Sequence, residues 1–137
     1  MSGLVLDCSV AVAWCFEDEA SAATDALMAR VRDEGAVVPE LWHLEVASVL
    51  VQAERRKRID SATMEVRLET LAILPIVTDR ETTPRAWGAI VDVARDQGLT
   101  IYDATYAELA RRSGFPLATK DAELRRAARR MGVEVVP

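Results

Sequence analysis

The chain has 137 residues, half of them hydrophobic, and a formal net charge of −5. That length fits one domain around one core, the apolar content excludes a disordered segment, and no apolar run approaches the roughly 18 residues a membrane span requires. The acidic balance argues against a chain that binds nucleic acid over its whole surface, although basic residues cluster at Arg55, Arg56, Lys57 and Arg58, and again at Arg125, Arg126, Arg129 and Arg130.

The apolar run at residues 4–6 is unbroken, as in a strand covered on both faces. It is too short for a signal peptide and has no basic residues before it, so a cytoplasmic protein is expected. Helices are expected over 9–16 and over 21–34, the second closed by Gly35. Residues 36–38 read as a second strand stopped by Pro39, followed by a long helix over 40–58 and another over 61–74. Ile76 and Val77 form a third strand. Thr83 and Pro84 suit an N-cap and a first helical position, opening a helix to about residue 97 that Gly98 breaks. A helix over 103–112 ends near Gly114, residues 116–118 make a fourth strand, 121–131 a helix ended by Gly132, and 133–136 a last strand. Short apolar runs alternating with helical patterns are the βαβ signature, so one α/β domain with a short, mostly parallel sheet is expected over residues 1–137. Cys8 and Cys15 match no zinc or CxxC spacing and read as small buried hydrophobes.

Four acids stand in unusual places. Asp7 directly follows the first strand, and Asp121 lies two residues beyond Thr119 at the end of the fourth. In open α/β sheets ligands bind outside the carboxyl ends of the strands, so both acids are expected on one edge. Each also suits a plainer part, Asp121 a helix N-cap and Asp7 a loop acid or cap. Glu45 lies with Ser48 and Gln52 on a narrow polar stripe of an apolar helix that is expected to be largely buried. A carboxylate there is costly unless it is hydrogen-bonded, paired or bound to a cation. Asp103 shares a helix face with Tyr106, Ala107 and Ala110, opposite Thr105, Glu108 and Arg112, and so points toward the core; it too suits an N-cap. His43 is expected at the surface or in packing, on the far side of the helix from Glu45. Two carboxylates about 4 Å apart repel by roughly 4 kcal/mol at an effective dielectric of 20. Four converging acids therefore call for a cation among them, and carboxylate oxygens without histidine or thiolate suit Mg²⁺ or Mn²⁺.

Four passages extend this reading. They are Val5-Leu6-Asp7-Cys8-Ser9, Pro39-Glu40-Leu41-Trp42-His43-Leu44-Glu45-Val46, Leu99-Thr100-Ile101-Tyr102-Asp103-Ala104 and Leu117-Ala118-Thr119-Lys120-Asp121. In this order, in a chain of this length, they resemble the PIN-domain ribonucleases, most closely the VapC-type toxins of bacterial VapBC toxin–antitoxin modules. The resemblance covers essentially the whole chain. It implies a three-layer fold with a five-stranded sheet of order 3-2-1-4-5 between helices. It implies that Asp7, Glu45, Asp103 and Asp121 hold Mg²⁺ or Mn²⁺ and carry catalysis, with Ser9 and Thr119 as supporting hydroxyls. It further implies an RNA substrate, hydrolysis to a 5′-phosphate and a 3′-hydroxyl, a homodimer and a cognate VapB-type antitoxin. Members often carry asparagine three residues after the glutamate, where this chain has Ser48.

Arg125 and Arg129 project beside Asp121 on the last helix and are candidates to hold RNA backbone phosphates; an Asp121–Arg125 pair on a solvated face is the plainer alternative. Two other functions fit parts of the pattern. A haloacid-dehalogenase-like phosphatase also places an aspartate after its first strand and a lysine and aspartate late, here Lys120 and Asp121, but it needs a second aspartate where this chain has Ser9. A catalytically silent PIN-fold binding module is the other, and the presence of all four acids argues against it.

Overall fold

The computed structural model describes residues 3–137. Five strands form one sheet of order β3-β2-β1-β4-β5. They are β1 (Val5–Leu6), β2 (Ala36–Pro39), β3 (Ile76–Asp79), β4 (Leu117–Ala118) and β5 (Val135–Val136). Every pairing is parallel, with Val5 opposite both Val37 and Leu117. The expected order is thus observed, and the sheet is wholly parallel where a mostly parallel one was expected. Parallel strands need helical crossovers that cover both faces, which is why Leu4, Val5, Leu6, Leu117 and Ala118 are fully buried.

The helices are α1 (Cys8–Ala13), α2 (Ala22–Glu34), α3 (Leu41–Arg55), α4 (Ser61–Ala72), α5 (Thr82–Arg85), α6 (Val91–Gln97), α7 (Ile101–Ser113) and α8 (Ala122–Arg130). A short 3₁₀ turn, Glu17–Glu19, follows α1. Gly35 closes α2 at φ +81, and a Cβ there would sit 3.1 Å from the Pro75 carbonyl oxygen, to which Ala36 N–H donates. Both the turn and the approach of β2 to β3 therefore require glycine. None of the helices among the described residues is long and apolar enough to cross a membrane. Cys8 and Cys15 are free thiols, both buried.

Four departures from the sequence expectation have local causes. α3 stops at Arg55 because Lys57 turns left-handed (φ +59), so that Lys57 N–H reaches Glu54 O and Arg58 N–H reaches Ala53 O, a Schellman closure. The helix expected to open at Thr83 begins at Thr82 and is interrupted by a π turn over Ala86–Ile90 before α6 resumes. α7 begins two residues before Asp103, because Thr100 Oγ1 accepts the Asp103 N–H and takes the N-cap position. α3 also has more apolar residues than one face can bury: Trp42, Val46, Leu50 and Ala53 pack inward, while Leu44 is 75% exposed and Ser48 and Gln52 face solvent.

α7 is covered on both sides rather than one. Thr105 and Glu108, expected to face away from the core, are buried with Tyr106, Ala107 and Ala110. Glu108 is 2% exposed and accepts from Arg112 Nε at 2.9 Å. The same guanidinium reaches Asp79 at the end of β3, with Nη2 at 2.8 Å and Nη1 at 3.2 Å. Burial pushes the Asp79 carboxyl up, but the Arg112 hydrogen bonds and charge hold it below the usual aspartate range. This triad fixes α7 against the outer edge of the sheet.

Candidate active site

The chain runs from β1 outward to β3 on one side and then returns to lay down β4 and β5 on the other. The loops after β1 and β4 therefore diverge, and they open a crevice at the topological switch point. Asp7 leaves β1 there and Asp121 follows β4. Glu45 comes from the second turn of α3, the helix after β2, and Asp103 from the first turn of α7. All four acids line one cavity of about 430 Å³, together with Ser9, Glu19 and Lys120.

Asp7 begins α1 without capping it through its side chain. Its Oδ2 instead accepts from Ser9 Oγ and from Thr119 Oγ1, each at 2.7 Å. Ser9 Oγ in turn accepts the Lys120 N–H at 2.9 Å, and Thr119 Oγ1 accepts the Asp121 N–H at 3.1 Å. Two loops far apart in sequence are thus tied through one carboxylate oxygen. Asp121 Oδ1 accepts from Leu124 N–H at 2.8 Å, so Asp121 caps α8 while also lining the cavity.

Burial pushes the Asp7 carboxyl up, the Ser9 and Thr119 hydroxyls pull it down, and Asp121 repels it, leaving it raised overall. Glu45 is raised by burial and by Asp7 and Asp103, against the pull of a hydrogen bond from Tyr106 Oη to its Oε1. Asp103 is raised to about 6 by burial and by the charges of Asp121, Asp7 and Glu123. Burial and the nearby Glu45 and Asp7 carboxylates push the Cys8 thiol up to about 12, so it stays protonated and inert.

The carboxylates therefore sense one another, yet among the described residues no three side chains of metal-ligating type are gathered tightly enough to enclose an ion. Mg²⁺ suits such an open, all-oxygen set, because it holds several waters and is bound through one or two carboxylates plus substrate phosphate. The donor chemistry fits a hard divalent ion; it does not fit a soft or fully chelated one.

Of the remaining candidates, Arg125 is engaged elsewhere: Nη1 donates to Thr119 O and Nη2 to Pro137 O, each at 2.9 Å, where the sequence suggested a pair with Asp121. Arg129 is exposed on α8, and His43 is exposed with its ring edge-on to Trp42. Tyr106, Glu19 and Lys120 were not singled out as parts of this site from sequence. Tyr106 carries the one legible signal, a hydroxyl one helical turn from Asp103 that needs a partner when buried.

The PIN domain family model matches residues 4–130. Among solved structures, the fold is similar to PAE2754 from Pyrobaculum aerophilum, with 26% identity and a TM-score of 0.71 over 98% of this chain and 84% of that one. It is similar also to FitAcB from Neisseria gonorrhoeae, with a TM-score of 0.68 over 98% of this chain and 96% of that one; at 17% identity that likeness is one of fold. No curated protein matches the chain. With a match that runs from the first strand to the end of α8, the chain belongs to the PIN domain family, whose members are generally nucleases.

Proposed function

We propose that this protein is a Mg²⁺- or Mn²⁺-dependent endoribonuclease and the VapC-type toxin of a type II toxin–antitoxin module, acting in the cytoplasm. One observation carries the reading: four carboxylates from four separate passages line a single cavity at the switch point of a parallel sheet, and three of them have raised pKa values because of burial and of one another. PIN nucleases typically use divalent metals, and Asp7, Glu45, Asp103 and Asp121 are the residues that would hold one here. When bound, the metal supplies positive charge for the scissile phosphate and a more acidic water.

The chain's own residues do the rest. Ser9 and Thr119 hold one oxygen of Asp7 and so fix the carboxylate in the cavity. Tyr106 does the same for Glu45. Glu45 or Asp103 orients the attacking water or accepts its proton. Water attacks phosphorus, the bond to the 3′-oxygen breaks, and the products are a 5′-phosphate and a 3′-hydroxyl. The 2′-hydroxyl is not the nucleophile, so no catalytic histidine is needed. The partners that belong to this reading are a second copy of the chain and a cognate VapB-type antitoxin, one of whose arginines suits the acidic cavity.

The test is cleavage of single-stranded RNA with Mn²⁺, with EDTA, and by Asp7→Asn. Activity that survives both chelation and the substitution overturns the mechanism.

A further inference from the structure

The cavity that gathers the four acids is lined by a single cationic side chain, Lys120, and by a fifth carboxylate, Glu19. Lys120 is fixed by its backbone, whose N–H donates to the same Ser9 Oγ that holds Asp7. Its ammonium is held much more loosely, 3.8 Å from Glu19 Oε1, with side chains 38% and 30% exposed. A long, half-exposed ion pair of this kind contributes little. Glu19, by contrast, is pinned: its Oε2 accepts from Arg58 Nη2 at 3.0 Å, and Arg58 also grips Asp18 and lies 3.8 Å above the Phe16 ring. The rim thus presents a fixed carboxylate and, against it, a loosely paired ammonium on an anchored backbone.

A phosphate oxygen is negatively charged like the Glu19 carboxylate, and a lysine ammonium binds phosphate as a point charge. Of the two arginines expected near the site, Arg125 is hydrogen-bonded to the Thr119 and Pro137 carbonyls, and neither lines this cavity. We propose that Lys120 holds a backbone phosphate of the bound RNA, and that Glu19 occupies that place until RNA arrives. This rests on the reading of the chain as a ribonuclease.

The experiment is fluorescence anisotropy of a labelled single-stranded RNA on the full chain in Ca²⁺, at several salt concentrations, with RNA integrity checked on gels. Mn²⁺ binding is measured by calorimetry on the same proteins. Lys120→Met is expected to weaken RNA binding about tenfold and to flatten the salt slope by about 0.7, the value of one single-strand phosphate contact. It should bind Mn²⁺ at least as tightly as the wild type, and Lys120→Arg should restore RNA binding. Glu19→Gln is expected to tighten RNA binding, and that gain should vanish in the double variant with Lys120→Met. Wild-type affinity and slope in Lys120→Met, or an equal gain from Glu19→Gln in both backgrounds, overturns the lysine assignment and leaves the ribonuclease reading standing. A wild type that binds Mn²⁺ but no RNA overturns both.

Discussion

The Tyr106 hydroxyl donates to Glu45 Oε1 and so joins α7 to α3 through the one carboxylate that α3 brings to the cavity. Tyr106 is fully buried, so its ring cannot move aside and its hydroxyl has a fixed direction. Tyr106→Phe removes the donor and keeps the packing. Outer hydrogen bonds of this kind are worth about 10–100-fold in metal affinity, so Mn²⁺ binding by calorimetry should weaken by at least about tenfold in this variant. An unchanged Kd shows that the bond is structural only.

Asp103 makes the metal-free protein sensitive to pH. Its folded pKa is raised from 3.8 to about 6, so between those values the native state binds more protons than the unfolded one, and stability falls as pH rises. Asp7 and Glu45 are raised too and act in the same direction. Ligating carboxylates must be ionised, so Mn²⁺ should raise the Tm more at about pH 7 than at about pH 5. Asp103→Asn should flatten the metal-free pH profile; a profile as steep as the wild type's removes Asp103 as its source.

Arg112 neutralises two acids at once. Arg112→Met leaves Glu108 buried at 2% exposure without its partner and frees Asp79. Removing one member of a buried ion pair costs about 3–5 kcal/mol, and the partial exposure of Arg112 places the expected loss near about 3 kcal/mol. Adding Glu108→Gln should recover part of it. Urea unfolding measures both, and a wild-type midpoint for Arg112→Met defeats the argument.

Lys57 sits at φ +59 in the Schellman closure of α3, where glycine is the unstrained residue. Lys57→Gly should stabilise the protein by about 0.5–1 kcal/mol, read as a higher urea midpoint with an unchanged slope. A lower midpoint means that the lysine side chain itself contributes.

Much of this architecture was legible in the chain. The apolar runs located the strands, and the glycines at 35, 98 and 114 marked the helix ends. Asp7 and Asp121 were legible by position, since a residue that ends a parallel strand lies at the ligand edge. Asp103 was legible only as an acid on an inward face: the helix begins earlier than expected because Thr100, three residues before it, is the N-cap. The burial of Glu108 was hidden because helical periodicity reports one apolar face, and a helix packed on both sides buries polar residues whose partners lie elsewhere in the chain, here on Asp79. Lys120 and Glu19 meet through folding alone.

The bond from Thr119 Oγ1 to Asp7 Oδ2 spans 112 residues of chain. Its two ends directly follow β1 and β4, strands of two residues each that lie side by side in the sheet. Three of the four acids precede β4 in the chain, so the cavity is complete only once Thr119 and Asp121 have been made and β4 lies beside β1.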